Sequence, residues 1–184
     1  MSTKYKATTT EEAYFITITT TGWLDVFTRL SQKNNIIHAL QYCQKYKGLE
    51  IYAYCIMTSH IHILCKGTEG FVLSDILRDF KKFTSKQIIK TIIEFPESRR
   101  EWMLAYFQEA CAHLKRDQKY KVWQDGYHAE IVTTNWFIKQ KVNYIHNNPV
   151  VERIVTLAED YYFSSARNYA RLESPLEVVV LDLF

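Results

Sequence analysis

The sequence lacks the features that mark several special classes of protein. Its 184 residues include only five glycines and three prolines, too few for a collagen-like or low-complexity chain. No stretch approaches the roughly 18 apolar residues of a membrane span, and the N-terminal MSTKYKATTTEE has no apolar segment of the signal-peptide type. We therefore expect a cytoplasmic protein without a membrane partner.

Cysteine is scarce as well, and its spacing predicts neither a metal knuckle nor a disulfide framework. The four cysteines are scattered, without a CxxC pair, at Cys43, Cys55, Cys65 and Cys111. Zinc knuckles and disulfide-rich domains both show closer or regularly spaced cysteines. Because the expected compartment is reducing, all four are expected to be free thiols.

Charge alone does not identify a partner. The formal net charge is +3 and charged residues make up 23% of the chain, whereas charge alone indicates nucleic acid only in far more basic proteins. The hydrophobic fraction of 47% is ordinary for a globular protein with a full core. Since no repeat, low-complexity tract or linker divides the sequence, we expect one domain over residues 1–184.

The hydrophobic patterns predict alternating strands and helices. A period of two residues indicates a strand and a period of 3.6 indicates a helix. The predicted elements are a strand at 13–20, a helix at 30–47, a hairpin of strands at 49–57 and 60–66 around the turn Thr58–Ser59, a helix at 73–93, a helical insertion within 94–119, a strand at 127–132, and a helix that begins at Thr134 or Asn135 and ends before Pro149. This order fits a ferredoxin-like α+β sandwich, with a four-stranded antiparallel sheet, helices on one face and the insertion before the last strand.

Two histidines lie two residues apart on the third predicted strand. Side chains alternate between the two faces of a strand, so His60 and His62 share one face while Ile61 and Ile63 share the other. Two neutral imidazoles at this spacing can bind one divalent cation that takes a third ligand from elsewhere. A solvated histidine pair has the same pattern. A histidine-triad nucleotide hydrolase is disfavoured because the third position of such a triad is Leu64.

A tyrosine lies on a polar face of the last long helix. Gln140, Tyr144 and Asn148 are four residues apart, so their side chains share a face. A phenol with a reference pKa of about 10 is a weak nucleophile, but a nearby cation or a metal-polarised phosphate makes its attack practical. Asn148 offers an amide oxygen as a further metal ligand. A surface tyrosine and a helix-ending Asn-Pro turn explain the same positions without chemistry.

Three segments in this order carry a resemblance to a known family. They are YAYCIMTSHIHILCKG (52–67), VWQDGYHAEIV (122–132), and NYIHNNPVVERIV followed by YYFSSARNY (143–169). The combination of HxH, WQxGY and YIHxNP resembles the single-tyrosine HUH transposases, and within them the REP-associated tyrosine transposases. The resemblance covers residues from about 12 to 170. The turn Thr58–Ser59 departs from relatives that often have Pro-Asn or Pro-Glu before the first histidine.

The resemblance implies a fold, an activity and a site. The fold is the same ferredoxin-like sandwich, and the activity is cleavage and rejoining of single-stranded DNA through a 5′-phosphotyrosine intermediate. The expected partner is a single strand that contains a hairpin. The resemblance also implies that His60 and His62 bind Mg²⁺ or Mn²⁺, that Tyr144 is the nucleophile and that Asn148 is a third metal ligand. Related enzymes build the site from one chain or from two, so a homodimer stays open.

DNA contacts are predicted in two basic segments and one aromatic motif. Lysine and arginine side chains bind phosphates, and aromatic rings stack on unpaired bases. The candidates are Arg78, Lys81, Lys82, Phe83 and Lys86 on the 73–93 helix, Lys115, Arg116, Lys119 and Lys121 at the end of the helical insertion and just beyond it, and Trp123 and Tyr127 in the WQDGY motif. Solvated helix faces and aromatic residues at the edge of the core are the structural alternatives.

Three other functions compete with that of a transposase. A non-catalytic module that binds single-stranded nucleic acid uses a similar sheet, but it carries aromatic residues where His60 and His62 lie here. A replication initiator or relaxase is disfavoured by the single tyrosine helix near the end of the sequence. An inactive, domesticated copy is disfavoured because both histidines and Tyr144 are retained.

Overall fold

The helices and strands follow the predicted order throughout residues 12–112 and 118–182, which are the residues that the computed structural model describes. The strands are β1 (Ala13–Thr19), β2 (Leu49–Ile56), β3 (His60–Gly67) and β4 (His128–Val132); the helices are α1 (Leu30–Tyr46), α2 (Leu73–Glu94), α3 (Arg100–Glu109), α4 (Asn135–Val151) and the short α5 (Ala166–Tyr169). The predicted insertion before the last strand is α3, which is shorter than expected.

The four strands form one antiparallel sheet in the order β2-β3-β1-β4. The central strand β1 pairs with β3, with Thr17 opposite His62 and Thr19 opposite His60, and it pairs with β4 on its other side. The hairpin of β2 and β3 carries an irregularity between Ile51 and Ala53. The predicted ferredoxin-like α+β class is confirmed, and its strand order places the end of β1 beside the histidines.

The two faces of the sheet differ in what covers them. Ile61 and Ile63 are fully buried on the face that α1 and α2 cover, as predicted. These two helices are joined by a hydrogen bond in which the Gln32 amide donates to the Ile88 carbonyl at 3.2 Å. The prediction that the helices lie on one face does not hold for α4, which packs on the other face, the one that carries His62. The main core and the histidine pair are therefore on opposite sides of the sheet.

The prediction that the last helix ends before Pro149 is wrong. Pro149 lies inside α4, which ends at Val151. A proline removes one backbone donor and disfavours the helical conformation of the preceding residue, but the end of this helix is closed by a Schellman-type bond. The N–H of Ile154 donates to the carbonyl of Pro149 at 2.8 Å. Asn148 is therefore helical and stays on the same face as Tyr144.

The segment after α5 packs back on the domain. The N–H of Val179 donates to the carbonyl of Ile51 at 2.9 Å, and the Gln44 amide donates to the carbonyl of Glu177 at 2.8 Å. This segment thus covers parts of β2 and α1.

The four cysteines are free and buried. Within the described parts of the chain, no helix has the length and apolar character needed to cross a membrane.

Candidate active site

His60 and His62 form an adjacent pair on β3. The ring centroids are 4.7 Å apart and the ring planes make an angle of 73°, so the two side chains project from the same face, as predicted. His62 is only 4% exposed, whereas His60 is half-buried. The pair lies near the end of β3 that follows the hairpin turn, and one of its rings is reached by solvent.

Thr17 on β1 fixes the orientation of the His62 ring. Its Oγ1 lies 2.9 Å from Nδ1 of His62, while the buried Nε2 has no hydrogen-bond partner within residues 12–112 and 118–182. When Nδ1–H donates to the threonine, the lone pair is on Nε2, which is how proteins hold a metal-ligating imidazole. Ser59 Oγ lies 3.2 Å from Nδ1 of His60. Each ring therefore has one nitrogen engaged by a neighbouring hydroxyl.

Burial keeps both imidazoles neutral. It lowers the pKa of His62 to about 3, with smaller contributions from the nearby His60 and Lys141. Burial also lowers the pKa of His60, and the carboxylate of Glu152 opposes that effect. A histidine must be unprotonated at the nitrogen that binds a metal, so the protonation state of the pair suits metal binding.

Tyr144 reaches the histidine pair from α4. Thr134 begins this helix, as predicted, by accepting a hydrogen bond from the N–H of Phe137 at 3.2 Å. The Tyr144 ring centroid lies 5.3 Å from that of His62 and 5.7 Å from that of Phe15. Because Tyr144 is 50% exposed, a substrate can approach its hydroxyl from solvent. A single chain thus brings the tyrosine and the histidines together.

Asn148 lies on α4 between two residues that reach the histidines. One turn earlier, Tyr144 contacts the ring of His62. One turn later, the charge of Glu152 is close enough to His60 to raise the pKa of that ring. Residues four apart share a helical face, so the half-buried Asn148 is on the side of α4 that faces the histidine pair.

The donors around this site suit a divalent cation. In the described part of the chain, no group of three or more His, Cys, Asp and Glu side chains is placed to hold a metal ion. A metal here would therefore combine the two imidazoles with an oxygen ligand of another kind, which the amide of Asn148 can supply. The buried Nε2 of His62 has no hydrogen-bond partner in the described residues, so it is available as a ligand. These side chains fit a metal site with positions left for a phosphate.

The two predicted basic segments meet in one groove. The exposed side of α2 and residues 118–126 line this basic groove, which has a volume of about 920 Å³. Its charged side chains are Lys81, Lys82, Lys86, Lys90, Lys119 and Lys121, opposed by Glu94 and Asp125. Lys115 and Arg116, predicted for the same surface, lie outside the described residues. The excess of positive charge suits the phosphates of a nucleic acid.

Two residues predicted to contact DNA serve the fold instead. Trp123 is 4% exposed and its Nε1 donates to Thr84 Oγ1 at 3.0 Å, so its ring belongs to the core and is not available for stacking on a base. The Nζ of Lys81 donates to the carbonyl of Gln124 at 2.8 Å and to that of Gly126. Burial lowers the pKa of Lys81 to about 8. Lys81 therefore ties α2 to the WQDGY segment.

The other predicted DNA contacts differ in how accessible they are. Lys82, Lys86 and Phe83 are exposed, Phe83 by 50%. Arg78 forms ion pairs with two aspartates of its own helix, and Tyr127 is half-buried against the core. Lys121 pairs with Asp125, whereas Lys119 is exposed in the groove. Lys82, Lys86, Phe83 and Lys119 therefore remain the candidates best placed to meet DNA.

The basic groove adjoins the histidine pair through β1. The N–H of Gln124, which lines the groove, donates to the carbonyl of Thr19 at 2.9 Å. Thr19 in turn lies opposite His60. Two strand spacings, or roughly 10 Å, separate the edge of the groove from the histidine. Because α2 covers the other face of the sheet, a strand bound in the groove would reach the histidines around the end of β1.

Sequence reasoning missed two residues that border the site. Thr17 could not be assigned as the partner of His62, because the HxH pattern does not say which strand lies beside it. Trp23 is 60% exposed, and its ring centroid lies 5.5 Å from that of His60. The signal for Trp23 was present in the sequence, since Gly22 and a large aromatic residue come within four residues of the end of β1.

A four-stranded antiparallel sheet, with a histidine pair on β3 and a tyrosine helix over it, is the arrangement expected of a single-tyrosine transposase. A family model described as Transposase IS200 like matches residues 14–115, more than half of the 184 residues. The chain belongs to this transposase family, so the family predicted from the sequence motifs is confirmed. The matched segment includes both histidines, whereas Tyr144 lies beyond it.

Comparison with one solved structure supports the fold. The structure of a REP-associated tyrosine transposase bound to a REP hairpin matches with a TM-score of 0.64 and 22% sequence identity, over 99% of this chain and 94% of that one. A candidate transposase from Deinococcus radiodurans matches with a TM-score of 0.45 and 17% identity, over 79% of this chain and 97% of that one. No curated protein matches the chain.

Proposed function

We propose that this transposase cleaves and rejoins single-stranded DNA, with Tyr144 as the nucleophile and with Mg²⁺ or Mn²⁺ bound by His60, His62 and Asn148. The observation that carries the proposal is the approach of Tyr144 to His62, with 5.3 Å between ring centroids. The approach occurs beside a buried imidazole nitrogen that has no partner in the described part of the chain. A half-exposed phenol next to a free imidazole lone pair suits phosphoryl chemistry.

The proposed reaction exchanges one phosphodiester for another. The phenolic oxygen of Tyr144 forms a bond to phosphorus, and the bond between phosphorus and the 3′ oxygen breaks. The phenol loses its proton to solvent, and the departing oxygen takes up a proton to become a 3′-hydroxyl. The strand is left joined to the protein as a 5′-phosphotyrosine. Because the number of phosphodiester bonds does not change, a 3′-hydroxyl can reverse the step without ATP.

The residues of the site have separate roles in this scheme. Thr17 orients the His62 ring so that Nε2 carries the lone pair, and burial keeps that ring neutral. A bound divalent ion would offset the negative charge that develops on the phosphate. Phe15 contacts both His62 and Tyr144 and holds α4 at the distance from β3 that lets the phenol reach the same phosphate.

The proposed substrate is a single strand that carries a hairpin. The REP-associated relative was solved with a REP hairpin, and this chain has a basic groove whose edge at Gln124 lies two strand positions from His60. A groove lined by lysines binds phosphates of paired and unpaired DNA alike, so it can hold the paired stem while an unpaired strand passes the site. Lys82 and Lys86 are proposed as phosphate contacts there.

A covalent adduct tests the proposed function. Purified protein is incubated with labelled single-stranded hairpin DNA from the flank of its own gene, with Mn²⁺ or with a chelator, and the products are separated under denaturing conditions. We expect an adduct in wild type with Mn²⁺, none with chelator, and none in Tyr144→Phe. Tyr162→Phe is a matched control, because Tyr162 is a comparably exposed tyrosine at 45%, and it should form the adduct normally.

Each other result points to a different function. An adduct that persists in Tyr144→Phe would place the nucleophile elsewhere. If wild type bound the DNA tightly but formed no adduct with any divalent metal, the chain would be a non-catalytic DNA-binding module or an inactive copy of a transposase.

A further inference from the structure

Trp23 is an exposed aromatic residue at the edge of the site. Its ring centroid lies 5.5 Å from that of His60, with the planes at 69°, and 60% of the residue is exposed. It follows β1 closely, and Thr19, the last residue of that strand, lies opposite His60. A large aromatic surface therefore borders the place where the reacting phosphate is proposed to bind.

The backbone of Trp23 has a conformation that large side chains disfavour. Gly22 has a φ of 62° and Trp23 has a φ of 59°, and the N–H of Leu24 donates to the carbonyl of Thr21 at 3.3 Å. Two successive residues with positive φ define a type I′ turn, in which glycine, asparagine and aspartate are the usual central residues. A tryptophan in this position is strained.

The turn is held in place without the tryptophan ring. Thr20 Oγ1 lies 2.7 Å from the carbonyl of Leu24 and 2.8 Å from that of Ser59. Gly22 lies so close to Tyr106 that an added Cβ would overlap the tyrosine hydroxyl. These contacts fix the turn, and a glycine at position 23 would suit its backbone better than tryptophan does. The side chain of Trp23 therefore serves something outside the fold.

We propose that Trp23 is a stacking platform for an unpaired base that adjoins the reacting phosphate. The inference rests on the proposed function, because the ligand is the DNA strand that passes His60. Unpaired bases stack on aromatic rings with little regard to sequence. Trp102 and Tyr106, whose ring centroids are 6.0 Å apart, continue the aromatic surface from the turn onto α3. A strand leaving the histidines along this side would meet Trp23 first.

A binding comparison isolates stacking from charge. The affinity of the full chain, without metal, is measured for a short mixed-sequence single strand and for a sugar-phosphate strand of the same length without bases. We expect wild type to prefer the strand with bases, Trp23→Gly to lose on the order of tenfold of that preference, and Trp23→Phe to keep most of it. The melting temperature of Trp23→Gly should stay close to that of wild type, because the relief of backbone strain offsets the larger entropy that glycine loses on folding.

A second exposed tryptophan supplies the control. Trp136 is 72% exposed in the first turn of α4, which follows β4, and the end of β4 pairs with Ala13 at the start of β1. It therefore lies at the opposite end of the sheet from His60. Trp136→Ala should leave the preference for bases unchanged, whereas a loss equal to that of Trp23→Gly would show unspecific contact with exposed rings and overturn the proposal.

Two results would overturn the stacking role directly. One is a Trp23→Gly protein that folds and keeps the full preference for the strand with bases. If that variant does not fold, Trp23→Leu and Trp23→Phe decide, because both keep the positive φ but only phenylalanine keeps a ring; equal preferences in these two would contradict stacking. Since the assay involves no metal and no cleavage, a failure of adduct formation by wild type would overturn the proposed function separately.

Discussion

The ring of Tyr144 packs edge-on against the ring of His62, with the planes at 69° and the centroids 5.3 Å apart. Tyr144 comes from α4 and His62 from β3, and Phe15 of β1 lies within 5.7 Å of both ring centroids. Three elements that are far apart in the sequence thus share one aromatic contact. This contact positions the proposed nucleophile against the proposed metal ligands.

Removing the hydroxyl of Thr17 should weaken metal binding. Thr17→Val leaves the strand intact but removes the partner of His62 Nδ1, so the ring is no longer held with its lone pair on Nε2. Loss of such a partner lowers metal affinity by roughly 10- to 100-fold. Titration calorimetry of Mn²⁺ into metal-free protein measures the effect. Thr17→Ser keeps a hydroxyl and should bind as wild type does; equal affinity in Thr17→Val would contradict the orienting role.

A mixing experiment should show that one chain builds the whole site. Tyr144→Phe lacks the proposed nucleophile and His62→Ala lacks a proposed ligand, so each variant alone should form no adduct. Since Tyr144 contacts His62 of its own chain, a mixture of the two variants should stay inactive as well. Denaturing gels of the mixed proteins with labelled DNA and Mn²⁺ provide the measurement. Recovery of adduct in the mixture would instead show a site shared between two chains.

Much of the fold and part of the site could be predicted from the sequence. Period-two and period-3.6 patterns located the strands and helices because each element buries one face. The same alternation placed His60 and His62 on one face, and the spacing along α4 placed Asn148 on the face of Tyr144. These are properties of a single strand or helix, so they can be read without knowing which elements are neighbours.

The remaining features depend on contacts between distant segments. The pairing of Thr17 with His62 follows from the strand order, which no local pattern contains. Trp123 fills a core position between Phe27 and Phe80, although an aromatic residue in a basic segment equally suits a DNA surface. The helix continues through Pro149 because its end is closed by bonds that outweigh the local preference of proline.

Neutralising the basic groove should weaken DNA binding in a salt-dependent way. Lys82 and Lys86 are exposed lysines of the groove, and each phosphate contact that is lost should lower the salt dependence of binding by about one unit of slope. Fluorescence anisotropy with labelled single-stranded DNA over a salt series compares Lys82→Ala and Lys86→Ala with wild type. Lys45→Ala, an exposed lysine of α1 outside the groove, is the control. Equal slopes in all proteins would exclude the two lysines as phosphate contacts.

Acid should destabilise the metal-free protein partly through His146. This residue is buried next to Ser165, with 2.9 Å between Nε2 and Oγ, and burial lowers its pKa from 6.5 to about 4. The unfolded chain therefore binds a proton at a higher pH than the folded chain does, so stability present above about pH 6.5 is lost as the pH falls towards 4. From about pH 7 to about pH 5, this histidine should contribute a loss of about 2 kcal/mol in the free energy of unfolding.

Urea unfolding of wild type and His146→Gln at both pH values measures that loss. Glutamine can keep a hydrogen bond to Ser165 but does not titrate, so the variant should lose less stability on acidification than wild type. Burial also lowers the pKa of His62. Protonation of His62 therefore accounts for a loss of stability on acidification that remains in the variant. An identical loss in both proteins would mean that His146 is not held neutral by the fold.

Mapping the covalent bond by mass spectrometry tests the central claim most directly. The adduct formed with Mn²⁺ is digested with nuclease and trypsin, and the peptide that carries the residual nucleotide is sequenced. Tyr144 is the only tyrosine in the tryptic peptide 142–153, so the account expects the nucleotide on that peptide, joined through its 5′ phosphate to the phenol. A nucleotide on any other peptide, or joined through its 3′ phosphate, would contradict the proposed reaction.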